Sequence, residues 1–126
     1  MNQKSQSSDS VQLSSDPLIS FVNVTKGYLS KEPVFKNINL KIDNGEFLFL
    51  TGISGAGKST VFRLLMGLEK PDSGQVFFQG QEVAGLNKKN LSFHRRNIGM
   101  IFQDYKLLQN KTTLENIEVP LLIKGV

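Results

Sequence analysis

Eight consecutive residues, Gly52-Ile53-Ser54-Gly55-Ala56-Gly57-Lys58-Ser59, carry the spacing G-x-x-x-x-G-K-S. Glycines in that pattern let the backbone turn inward so that successive N–H groups converge on one anion, and a helix starting near Lys58 adds the positive end of its dipole. Gly52, Ser54, Gly55, Ala56 and Gly57 are then the cradle of a triphosphate. Lys58 is expected to bridge the β- and γ-phosphates, the Ser59 hydroxyl to ligate Mg²⁺, and Thr60 to help hold a phosphate. The competing reading is an ordinary Gly/Ser-rich turn. It is disfavoured because the Lys-Ser pair and both flanking elements fit the phosphate-binding reading.

The elements that must position this loop are legible from periodicity. Glu46–Thr51, with its run Phe47-Leu48-Phe49-Leu50, reads as a strand covered on both faces, as in a parallel sheet. It is the expected central strand. After the loop, Val61, Leu64, Leu65 and Leu68 recur at helical spacing, widened by Phe62 and Met66, with Pro71 as the expected stop. Upstream, Leu18–Val24 and Phe35–Ile42 alternate as half-buried antiparallel strands. Downstream, Gln75–Phe78 and the turn Gln79-Gly80-Gln81 predict a hairpin edge. A polar, basic segment, Asn87–Asn97, precedes a second buried-strand run, Ile98–Phe102. Thr112-Thr113-Leu114-Glu115 has capping-box spacing before a final helix that Pro120 kinks or shortens, with no stop signal before Val126.

Composition narrows the chemistry. The 126 residues contain no Cys and one His, which excludes a disulfide framework, a thiolate zinc site, a Cys nucleophile and a His-rich metal centre. The net charge of +4 is scattered and reads as a solvated surface, so no nucleic-acid partner is expected. The longest apolar runs fall far short of the ~20 residues a membrane span needs. Residues 1–17 are Ser-rich and read as a disordered tail without secretory-signal features, leaving 18–126 as the folded part.

Asn23-Val24-Thr25-Lys26-Gly27-Tyr28, Gly52–Thr60 and Ile98-Gly99-Met100-Ile101-Phe102-Gln103 together resemble the N-terminal half of an ABC-type ATPase, from about Ile19 to the last residue. The resemblance implies an α/β fold of P-loop NTPase type: a parallel sheet core with an antiparallel β subdomain, incomplete in this chain. It implies ATP and Mg²⁺ as cofactors, Tyr28 as the adenine-stacking aromatic, and Gln103 reaching Mg²⁺ or the attacking water. Tyr28 could instead be a half-buried residue at a strand end, and Gln103 a solvent-facing one. The partners implied are a second copy and a transmembrane, permease-like (FtsX-like) subunit, and the location implied is the cytoplasmic face of the bacterial inner membrane. Within the family, Thr51–Thr60, Gly99–Leu108, Asn116 and Val119-Pro120-Leu121 look most like the cell-division branch. Relatives that power lipoprotein release or macrolide export share the general pattern.

Asp104 receives no catalytic role, because Gln103 interrupts the apolar-then-acid pattern of a metal-binding strand. Tyr105, Leu107 and Leu108 lie where the family meets its membrane subunit, although an aromatic and two leucines are more often core. Lys88, Lys89, Arg95 and Arg96 read as a solvated helix face rather than a lipid contact, and His94 is expected to have no chemical task. The family's strand of four apolar residues ending in Asp-Glu, which supplies the metal-binding carboxylate, and its Leu-Ser-Gly-Gly-Gln-like signature are not found in the sequence. The chain by itself is therefore expected to be marginally folded, with an unpaired apolar edge, and not to turn over ATP. A non-catalytic nucleotide-binding remnant is the alternative from another class. A small phosphotransferase is disfavoured by the two strands that precede the loop.

Overall fold

The computed structural model describes residues 16–28 and 32–125, so the Ser-rich reading of Met1–Ser15 lies outside the described residues. Alternation at the start of the chain does produce strands. β1 (Ile19–Lys26) pairs antiparallel with β2 (Phe35–Ile42), with Ile19 opposite Ile42 and Phe21 opposite Leu40. On its other edge β1 pairs antiparallel with β3 (Ser73–Phe78), setting Phe21 opposite Val76. β4 (Gln81–Glu82) closes the order β2-β1-β3-β4. The β3–β4 hairpin turns through Gln79 and Gly80, both at positive φ, the conformation whose twist suits a two-residue hairpin. The hairpin is present as expected, but β3 is interior and only the two-residue β4 forms that edge.

One face of the sheet supplies Phe21, Val24, Val76 and Phe78 to the core; α1 (Lys58–Leu65) adds Leu64 and Leu65, and Val83 completes the cluster. Val24, Leu64 and Val76 are fully buried. This α/β arrangement seats the helix that follows the loop directly on the antiparallel sheet. α1 ends earlier than Pro71. Gly67 adopts φ 60°, its N–H donates to the Leu64 carbonyl (3.0 Å), and the Leu68 N–H donates to the Arg63 carbonyl (2.8 Å), the paired bonds of a Schellman stop. A Cβ on Gly67 would lie 2.5 Å from Leu91 Cδ1, so a side chain there would also push the leucine of the next helix aside, while the positive φ is what favours glycine.

The polar segment folds as α2 (Lys88–Arg96), capped by the Asn87 side chain, which accepts from the Asn90 N–H. α3 (Thr113–Lys124) begins at the expected capping box: Thr112 accepts from the Glu115 N–H and the Glu115 carboxylate from the Thr112 N–H. It continues through Pro120. Gly125, at φ 85°, is the stop that the sequence reading did not recognise.

Two expected strands do not form. Residues 46–51 and 98–102 carry no strand pairing, and Phe47, Phe49 and Ile101 are 81%, 79% and 93% exposed. An apolar run of this kind becomes a buried strand only where ladder partners and cover on two faces are supplied, and among the described residues neither run receives them.

Candidate functional site

The loop between the 46–51 run and α1 is shaped by its glycines. Gly57 stands at the N-terminus of α1 with φ 85° and no side-chain cap; a Cβ there would lie 2.4 Å from Val34 Cγ1 and 2.5 Å from Phe35 Cε1. Only glycine permits both the left-handed backbone and this close approach to the start of β2. The Gly57 carbonyl accepts from the Thr60 (2.9 Å) and Val61 (3.1 Å) amides, which closes the first helical turn. The amides of Lys58 and Ser59, the first two helical positions, have no intrahelical acceptor. With no acidic residue in that turn, the local chemistry suits an anion.

Lys58 folds back over the loop. Its ammonium donates to the carbonyls of Gly52 and Ile53, each at 2.7 Å, which holds the charge at the loop and leaves one of its three donors. The cleft beside it measures about 400 Å³ and brings together Ser54, Gly55, Gly57, Lys58, Ser59 and Thr60 with Val34, Tyr28 and Gln103. Two residues distant in sequence from the loop, Tyr28 and Gln103, thus share one cavity with it. Gly52 and Ala56 do not line it. Gly52 supplies a carbonyl to Lys58, and Ala56 lines a neighbouring apolar cavity with Phe35 and Leu50. The Ser59 hydroxyl and the Gln103 amide oxygen are hard ligands of the type Mg²⁺ selects, and both belong to this cleft.

Thr60 is buried, and its hydroxyl lies 3.2 Å from the Tyr28 hydroxyl. That hydroxyl donates in turn to Glu69 Oε2 at 2.6 Å, while Arg63 Nε donates to Glu69 Oε1 at 2.5 Å. The Tyr28 hydrogen bond, followed by Arg63, holds the Glu69 carboxyl below its ordinary range. Asp72 accepts from the Gly27 N–H (2.7 Å) and from Lys26 Nζ (3.1 Å), and these two contacts, the amide first, lower its carboxyl likewise. Sequence reasoning missed Arg63, Glu69 and Asp72. No local pattern marks them, since their partners lie more than thirty residues away except for the Arg63–Glu69 pair, a spacing of six that fits neither helix neighbours nor a tight turn.

Other expectations resolve separately. Asp104 pairs with Lys106 at 2.6 Å, the contact that lowers its carboxyl, and it is not among the cleft-lining residues. Tyr105, Leu107 and Leu108 are exposed, not core. Arg95 is no solvated cation: it donates to the Met66 (2.8 Å) and Gly67 (3.0 Å) carbonyls at the end of α1. His94 is buried and bonds the Leu65 carbonyl through Nε2 at 2.6 Å, a structural tie with no place in the cleft.

Comparison with known proteins agrees with the fold. The family described as ABC transporter matches residues 35–124. The cell division ATP-binding protein FtsE of Haemophilus influenzae is 43% identical over 110 residues, 86% of this chain and 50% of that protein. The methionine import ATP-binding protein MetN of Latilactobacillus sakei is 46% identical over 112 residues, 86% of this chain and 33% of that protein. Among solved structures, the ABC transporter cassette MJ0796 in its dimeric, post-hydrolysis state bound to ADP and Pi superposes with a TM-score of 0.76 at 39% identity, covering 84% of this chain and 47% of that one. The chain spans about half the length of the FtsE relatives it matches.

Proposed function

The chain belongs to the ABC transporter family, and from that premise we propose that its cleft binds Mg²⁺·ATP as part of an ATP-binding subunit whose whole form couples hydrolysis to a membrane partner. The observation that carries the reading is the single cavity shared by the glycine loop, Lys58, Ser59, Tyr28 and Gln103. In it, the orphan amides of Lys58 and Ser59 and the Lys58 ammonium receive the phosphates, and the Tyr28 ring stacks on adenine. Ser59 and Gln103 hold Mg²⁺, which when bound neutralises the triphosphate charge. The cleft lining includes no carboxylate, so what these residues offer is binding and orientation; a general base and a carboxylate ligand for the metal are not among them.

Calorimetry tests this directly. The protein is expected to bind ATP only with Mg²⁺, and Lys58→Ala to lose most of that affinity while retaining its thermal midpoint. Absence of Mg²⁺-dependent affinity, or equal affinity in the variant, overturns the reading.

For the finer role, the FtsE relatives support a division-linked subunit that pairs as a homodimer with an FtsX-like permease at the cytoplasmic face of the bacterial inner membrane. The comparable identity to MetN supports a second reading, the ATPase of a small-molecule importer. The membrane subunit that co-purifies from native membranes discriminates between them. A small permease-like subunit without a cognate solute-binding protein fits the first, and an importer permease the second.

A further inference from the structure

Tyr28 is 48% exposed, yet its hydroxyl is fixed from two sides. It carries one proton. Because a carboxylate only accepts, that proton points to Glu69 Oε2, 2.6 Å away, and the Thr60 hydroxyl at 3.2 Å must then donate to the Tyr28 oxygen. Thr60 has no second proton for a phosphate. Glu69 is itself held: its other oxygen accepts from Arg63, and its side chain is only 16% exposed. Thr60 and Arg63 both belong to α1, so the helix that begins at the phosphate loop grips the ring at its hydroxyl end along the path Thr60 to Tyr28 to Glu69 to Arg63. The turn carrying Glu69 has a second carboxylate, Asp72, which fixes the Gly27 amide and Lys26, and the Lys26 ammonium sits 5.5 Å from the Tyr28 ring centroid. One ring face is thereby engaged by a cation.

We propose that Glu69 is a positioning residue for nucleotide binding: by accepting the Tyr28 hydroxyl while held by Arg63, it fixes the ring in the pose on which a purine base stacks, and it couples base recognition to the phosphate-loop helix. This rests on the nucleotide-binding reading above. A ring held in place beforehand loses less freedom when the base arrives, so the contribution of Glu69 belongs to the base half of the ligand and not to the phosphate half.

That division supplies the test, which is calorimetric titration of the wild-type protein and its variants with Mg²⁺·ATP and, separately, with magnesium tripolyphosphate. Glu69→Ala is expected to weaken Mg²⁺·ATP about threefold to tenfold while leaving tripolyphosphate within about twofold. Glu69→Gln, which keeps an oxygen acceptor, should recover part of the loss. Tyr28→Phe, which keeps the ring but not the hydroxyl, should match Glu69→Ala, and the double variant should be no worse than either. Equal weakening for both ligands, or an unchanged Mg²⁺·ATP affinity in Glu69→Ala or Tyr28→Phe, overturns the proposal while the nucleotide reading stands. Failure of the wild type to bind Mg²⁺·ATP overturns both.

Discussion

Gly55 and Gly57 have nearly the same backbone conformation, φ 80° and 85°, in different surroundings. A Cβ on Gly55 meets nothing within 4 Å, whereas on Gly57 it would run into Val34 and Phe35. Gly55→Ala therefore adds only the left-handed strain, about 1–2 kcal/mol. Gly57→Ala adds overpacking against the start of β2, for a total of about 2–5 kcal/mol. Urea midpoints of the two variants should separate in that order; equal midpoints would mean that β2 yields freely. At this scale the shape of the glycine loop was readable because its geometry is a local backbone demand, written directly as glycines. Glu69, Asp72 and Arg63 were not readable, because a carboxylate acquires its task from whichever distant donor the fold places beside it. Thr60 shows the same limit. The pattern suggested a phosphate contact, and the fold gives its hydroxyl to Tyr28.

Helix ends divide along the same line. The capping box from Thr112 to Glu115 is a four-residue matter and was legible, and Gly67 and Gly125 are stop signals of the same local kind. The ties of His94 and Arg95 to the last carbonyls of α1 depend on α2 lying across that helix, which no local pattern announces. α3 has no buried residue, so its caps carry an unusual share of its stability. Thr112→Ala is expected to cost about 1 kcal/mol of that helix. Glu115 makes the same point through pH. Its carboxyl is held below the ordinary value of 4.5 by the Thr112 amide first and then by Lys111 and the Thr112 hydroxyl. A carboxyl lowered in the folded state contributes stability that is complete above its unfolded value and disappears as pH falls through the folded one. NMR shifts of the first turn of α3 should therefore report helix at neutral pH and fraying as acid protonates Glu115. In Thr112→Ala, which keeps the backbone amide but lacks the hydroxyl, fraying should begin at higher pH. A first turn that remains intact after Glu115 has titrated contradicts the assignment.

At the scale of the molecule, the antiparallel sheet and the α-helices of the described residues leave apolar surface uncovered at defined places. Phe47 and Phe49 alternate with Leu48 and Leu50 in one apolar run, with both phenylalanines largely exposed and both leucines partly so. Periodicity alone predicted a strand covered on two sides, but burial depends on partners that a local pattern does not specify, and among the described residues the run receives none. An extended segment with free N–H and C=O groups and large apolar side chains is a template for another such segment, the nearest being the same run in a second copy. The protein is therefore expected to self-associate with rising concentration, followed by sedimentation velocity. Phe49→Lys, which places a charge on the uncovered face, should raise the concentration at the association midpoint about tenfold while leaving the antiparallel sheet and its amide protection unchanged. Charging another exposed site away from the run, such as Gln81→Lys at the two-residue edge strand, should leave association as it was. Were both substitutions equally effective, general charge repulsion rather than strand pairing would drive the association, and the exposed run would have no special part in it.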